Sequence, residues 1–217
     1  MLDKLRNFKT ANELRQAFLS WAAIDILLEE EYAYRVYDWI PVWTQGQAYG
    51  KIDNGAGDEL IALFGENDCI IKGFDHESAL SPHAQEEFKI YDGLYEQAPK
   101  ELLERLFDPA IEHEHVTFCI WQTTGDDWHK EETAIPEGED DGEEFLMGYF
   151  HSTVEAHSDW IKDYYEIELD QSLVLLFRHF FYRKPITQTL LIQHGFGEQK
   201  ERIFEELEKI GYPVEEA

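Results

Sequence analysis

The stretch that most limits what this chain can fold into lies between Glu59 and Phe74. Two six-residue apolar runs, ELIALF (59–64) and CIIKGF (69–74), flank Gly65-Glu66-Asn67-Asp68. Runs this short, bounded by turn-forming residues, predict a β-hairpin rather than a helix. The second strand opens into a polar loop, so that Lys72, Asp75, His76, Glu77, Ser78 and Ser81 fall within ten residues. No other part of the sequence concentrates so many groups able to ionise, donate and accept.

Around the hairpin the pattern extends both ways. Thr10-Ala-Asn-Glu13 has the form of a capping box, and Leu14, Ala17, Phe18, Trp21, Ile24 and Leu28 follow at helical spacing up to about Glu30. Alternation from Glu31 to Trp39 predicts a strand with Arg35 between tyrosines, and Ala48 to Asp53 predicts another, ended by Asn54-Gly55-Ala56-Gly57. Ser81-Pro82 reads as a helix start with Ala84, Phe88, Tyr91 and Tyr95 on the buried face. A short helix after Pro99, a strand from His115 to Trp121 and helices led by Ser152 and Glu198 complete the reading, with Leu173 to Phe181, apolar on nearly all sides, read as a helix from Asp170 or else a central strand. Thr123 to Gly148 shows no period, and a loop this long, when ordered, often covers a site.

The expected fold is one α+β domain over residues 1–217, an antiparallel sheet of about five strands packed against helices from both ends of the chain. Thirty-one aromatic residues and 43% hydrophobic content supply the core. Cys69 and Cys119 sit in apolar runs without CxxC spacing, which predicts packed thiols and a reducing compartment. With no apolar leader in MLDKLRNFKT and no long apolar stretch, the expected location is the cytoplasm.

Net charge is −28, and it is uneven: −2, −7, −13 and −6 over residues 1–50, 51–100, 101–150 and 151–217. Such a field opposes nucleic acid and anionic membrane and favours a basic protein partner. The sequence specifies no cofactor and leaves the oligomeric state open. For contact with a partner the candidates are Arg35, Asp58, Glu59, Asp75, Ser81, Trp121 and Trp128, the tryptophans because they flank loops.

For catalysis the candidates are Lys72, His76, Glu77 and Ser78, with His76 or Glu77 as general base and Lys72 facing developing negative charge. For metal, His113 and His115 bracket Glu114 in a chelate-like triplet, although strand geometry turns Glu114 away and no HExxH accompanies it. The acidic run Glu137 to Glu144 places Gly142 where an EF-hand wants glycine but has Gly148 where the bidentate Glu belongs, so the EF-hand reading fails. There is no GxSxG and no P-loop.

The segments GDELIALF, IIKGFDHESALSP, TFCIW and IGYP resemble a family of bacterial proteins with GDE, KGFxHESxxSP and FCIW motifs and no assigned activity. The resemblance spans roughly Trp21 to Pro213 and carries over no catalytic role. It implies that Gly57, Asp58, Glu59, Lys72, Gly73, Phe74, His76, Glu77, Ser78, Ser81 and Pro82 are the positions to test. Two function classes therefore stand side by side: a binding protein for a basic partner, similar to an immunity protein, and a hydrolase, with or without metal, working from the Lys72 to Ser81 loop.

Overall fold

The computed structural model describes residues 2–44 and 46–215. In chain order the regular elements are α1 (Ala11–Leu28), β1 (Tyr37–Ile40), β2 (Ala48–Asp53), β3 (Glu59–Phe64), β4 (Cys69–Phe74), α2 (Lys100–Leu106), β5 (Phe118–Gln122), β6 (His129–Lys130), α3 (Glu143–Leu146), α4 (Val154–Tyr164), α5 (Gln171–Phe181), β7 (Ile186–Thr187), α6 (Gln188–Gln193), α7 (Lys200–Lys209) and β8 (Val214–Glu215). The class is α+β, as the sequence predicts. Packing divides the chain into two compact units, Met1–Arg15 with Val42–Phe150 and Gln16–Pro41 with His151–Ala217.

The first unit is built on consecutive antiparallel strands β2 to β6. Ile52 faces Leu60, Leu63 faces Ile70 and Ile71 faces Ile120, all of them buried. Each such side chain withdrawn from water contributes about 1.5–3 kcal/mol. Gly73 lies opposite Phe118, and a Cβ there would sit 2.0 Å from the phenyl ring, so only glycine lets the ring cross the strand. Phe8 meets Phe150 edge-on at 6.2 Å, and Gln122 hydrogen-bonds both the Ala11 N–H and the Lys9 carbonyl.

The second unit is mainly helical. Asp170 caps α5 by accepting the Leu173 N–H at 2.8 Å, and Leu176, Phe177 and Phe180 are buried. Ser20 on α1 donates to the Phe180 carbonyl, and the Trp21 indole donates to the His151 carbonyl. Asp25 is wholly buried, and one of its oxygens accepts the N–H groups of Val36 and Tyr37, each at 2.8 Å. Burial pushes its carboxyl up to about 7, against the pull of those two N–H groups. The Tyr165 hydroxyl also pulls on this carboxyl. His157 is also fully buried, stacked on Trp160 at 5.5 Å, with neither ring nitrogen hydrogen-bonded. Burial pushes its pKa well below 6.5.

Several elements differ from expectation. The stretch from Glu31 begins with a 3-10 turn at Tyr32–Tyr34, and strand geometry starts only at Tyr37. Ser81 does act as a cap, accepting the His83 N–H, but a single 3-10 turn follows in place of a helix to Tyr95. The strand expected at His115 starts at Phe118, the aperiodic segment contains β6 and α3, and α6 with the short parallel pair β7–β8 was not foreseen. Among the described residues no helix is long and apolar enough to cross a membrane.

Candidate functional site

The site follows from strand register in the first unit. Glu59 pairs with Phe74, so the residue before the one and the residue after the other, Asp58 and Asp75, emerge side by side at the end of the sheet. The β2–β3 turn is shaped by its own side chains. Asp53 accepts the Gly55 N–H at 2.9 Å, Asn54 accepts the Ala56 N–H at 2.8 Å, and Gly57 takes φ +104°, which a side chain would resist. That turn aims Asp58 inward, where it is 4% exposed.

Asp58 holds His76 twice. Its Oδ1 accepts the His76 backbone N–H at 2.9 Å and meets the ring Nδ1 at 2.6 Å, while Oδ2 accepts the Asn54 amide at 2.7 Å. Burial alone would raise the Asp58 carboxyl, but these hydrogen bonds outweigh it and hold the pKa below the ordinary value. The hydrogen bond His76 makes to Asp58 raises the imidazole in turn. With Nδ1 engaged, exchange with solvent or ligand falls to Nε2 of a side chain that is 46% exposed. This is the arrangement in which a carboxylate fixes the tautomer of a general base and supports its imidazolium.

The acidic segment closes against this pair. Ser78 Oγ donates to the Asp140 carbonyl at 2.8 Å, and Thr117 Oγ1 donates to the Asp141 carbonyl at 2.7 Å while accepting the Asp75 N–H at 3.2 Å. Gly142 follows at φ +78°, where a Cβ would stand 2.3 Å from the Asp75 Cβ. Burial, with the charges of Asp58 and Asp140, raises the Asp75 pKa. Burial raises the Tyr149 phenol as well, with Asp58 adding to it and a hydrogen bond to Asn54 opposing it. Donor atoms of Asp58, Asp75 and His76 lie within 4.8 Å of one another, a mixed oxygen and nitrogen set that could hold a divalent cation.

Of the residues singled out in the sequence, Asp58, Asp75, His76, Glu77 and Ser78 come together here. Glu77 is exposed and donates its backbone N–H to Asp75. Ser78 is engaged by the Asp140 carbonyl and the Leu80 N–H. Lys72 lies elsewhere: wholly buried, it donates to Glu59 at 2.7 Å and to the carbonyls of Glu112 and His115 at 3.2 and 2.9 Å. Those three bonds use all its protons. Burial lowers its pKa, with Glu59 opposing, and Glu59 also binds Lys51 at 3.1 Å. Ser81 is the buried cap described above.

Trp121 stacks on His129 at 5.8 Å, toward the opposite end of β5 from Thr117, and the Trp128 indole donates to the Phe8 carbonyl. Arg35 belongs to the second unit, tied to Glu206 and to the Glu29 and Glu30 carbonyls. His113 and His115 each pair with a neighbouring glutamate, Glu114 at 3.3 Å and Glu112 at 3.2 Å. They are not part of the three-donor group found among the described residues. Thr117 and Tyr149 carry no signal in the sequence, while Asn54, Asp140 and Gly142 are marked there only as turn or acidic-run residues. Pairing the GDE and KGF runs in register would have located Asp58 beside Asp75, but nothing local joins the other five to that pair.

Compared with family models, curated proteins and solved structures, the chain matches none.

Proposed function

We propose that the protein is an acidic interaction protein whose first unit engages a basic macromolecular partner, as a toxin-neutralising immunity protein does. One observation carries this reading. Between residues 51 and 150 there are 6 Lys and Arg against 26 Asp and Glu. All six are ion-paired: Lys51 with Asp53, Lys72 with Glu59, Lys89 with Asp92, Lys100 with Glu104, Arg105 with Asp68 and Lys130 with Asp141. The cations of this segment are thus each matched by a carboxylate, and the 20 carboxylates in excess set up a field that steers a cationic partner.

The test is capture from the native lysate at low and high salt. A near-stoichiometric basic protein, held at low salt and released at high salt, is the expected result. Absence of any such partner, or association rates indifferent to ionic strength, would overturn the reading.

A hydrolase reading has one observation of its own, the buried Asp58 carboxylate bonded to His76 Nδ1 at 2.6 Å. In it His76 is the general base, exposed Glu77 assists, and Asp58 with Asp75 supplies further donors should a metal bind. Lys72 has no proton left to offer. Asp58→Asn and His76→Ala should then abolish turnover of an ester or phosphoester substrate while leaving the melting temperature near that of the parent. Parallel loss of fold in both variants would instead assign the pair a structural role.

A further inference from the structure

Four rings, Phe74, His83, Phe88 and His115, meet at the surface of the first unit. Phe74 ends β4 and packs 5.3 Å from His115 and 6.1 Å from His83. His83 lies 5.2 Å from His115 and 5.1 Å from Phe88, and Phe88 meets His115 edge-on at 5.7 Å. The inner member, Phe74, is 7% exposed, whereas Phe88 at the outer edge is 54% exposed. The Phe88 ring is thus held against two imidazoles with half its surface in water, and aromatic side chains are enriched where proteins recognise one another.

The charge around these rings is predominantly negative. The two segments that carry the imidazoles and Phe88 also carry Glu86, Glu87, Glu112 and Glu114, all exposed. Glu112 reaches His115 Nδ1 at 3.2 Å, which places a carboxylate at the ring edge. The neighbouring cation, Lys89, is paired with Asp92.

Building on the basic-partner reading, we infer that this ring cluster is where an arginine of the partner docks. A guanidinium is planar and weakly hydrated, so it lies flat on an aromatic face while its N–H groups fork to carboxylates beside it. Lysine offers a compact ammonium that shares the attraction of the carboxylates but stacks less well. The surface therefore selects arginine within a basic partner instead of positive charge in general.

The experiment is calorimetric titration of the full chain with nona-arginine and with nona-lysine at low salt. We expect nona-arginine to bind about tenfold more tightly, the size of a moderately desolvated cation–π contact. Phe88→Ala should remove that difference and leave nona-lysine binding unchanged. Since Phe88 is half exposed, its melting temperature should stay near the parent's. Glu112→Gln provides a second check and should lower affinity for nona-arginine more than for nona-lysine. Equal affinities for the two peptides, or an undiminished preference in Phe88→Ala, would overturn the docking site while leaving the basic-partner reading standing. Failure of both peptides to bind would overturn the two together.

Discussion

At Asp58 and His76 one hydrogen bond contributes to two protonation equilibria. His76 is raised above its ordinary 6.5 by Asp58, so its share of the stability is present in full below that value and is lost as pH rises through the raised one. Asp58, held below 3.8 despite burial, contributes above 3.8 and loses its share as pH falls. Asp58→Asn should therefore shift the His76 titration midpoint downward when followed by NMR; an unmoved midpoint would show that the contact is not made in solution. Asp25 and His157 work in opposite directions. Asp25 is raised from 3.8 to about 7, so its burial is tolerated when protonated and costs stability as pH climbs across that interval, by a few kcal/mol in order of magnitude. His157, pushed well below 6.5, costs nothing above 6.5 and increasingly more as pH falls below it. Melting curves taken across pH should show Asp25→Asn gaining most at neutral pH and His157→Leu losing less than the parent in acid.

At the scale of elements, the sheet of the first unit depends on one missing side chain. Gly73→Ala brings a methyl group to 2.0 Å from Phe118 and should destabilise the protein by about 1–3 kcal/mol in denaturant titration, with Phe118→Leu in the same chain recovering part of the loss. Strands β2 to β4 were legible in the sequence because apolar runs, turn residues and strand length all point the same way there. The segment after Ser81 was not. Ala84, Phe88, Tyr91 and Tyr95 have helical spacing, yet Phe88 faces solvent with the imidazoles, Tyr95 donates to the His113 carbonyl, and Tyr91 packs with Leu80, Leu94 and Val116. Contacts distant in sequence divided a face that periodicity alone would have kept whole. The candidate site was half legible for the same reason: Asp75, His76 and Ser78 are adjacent in the chain, whereas Thr117, Asp140 and Gly142 reach them only through register and loop closure.

For the whole molecule, charge is the property that solvent conditions control. Exposed carboxylates without counter-ions repel one another, and added salt screens them, so the melting temperature should rise between low and moderate sodium chloride concentrations. A fall would mean that the internal ion pairs of Lys72 and Lys130 dominate instead. The division into units has a different bearing, on how the chain is made. Residues Gln16–Pro41 belong with His151–Ala217, although more than a hundred residues of the other unit lie between them in sequence. On a ribosome, the helix that carries Ser20 and Trp21 emerges more than a hundred residues ahead of the carbonyls of His151 and Phe180 that receive their protons. At ordinary translation speed the interval is roughly ten to thirty seconds. Throughout it, an apolar helix with a buried tryptophan must wait without its partners, which makes the nascent chain a natural client for chaperones and makes a fragment ending near Phe150 prone to aggregate.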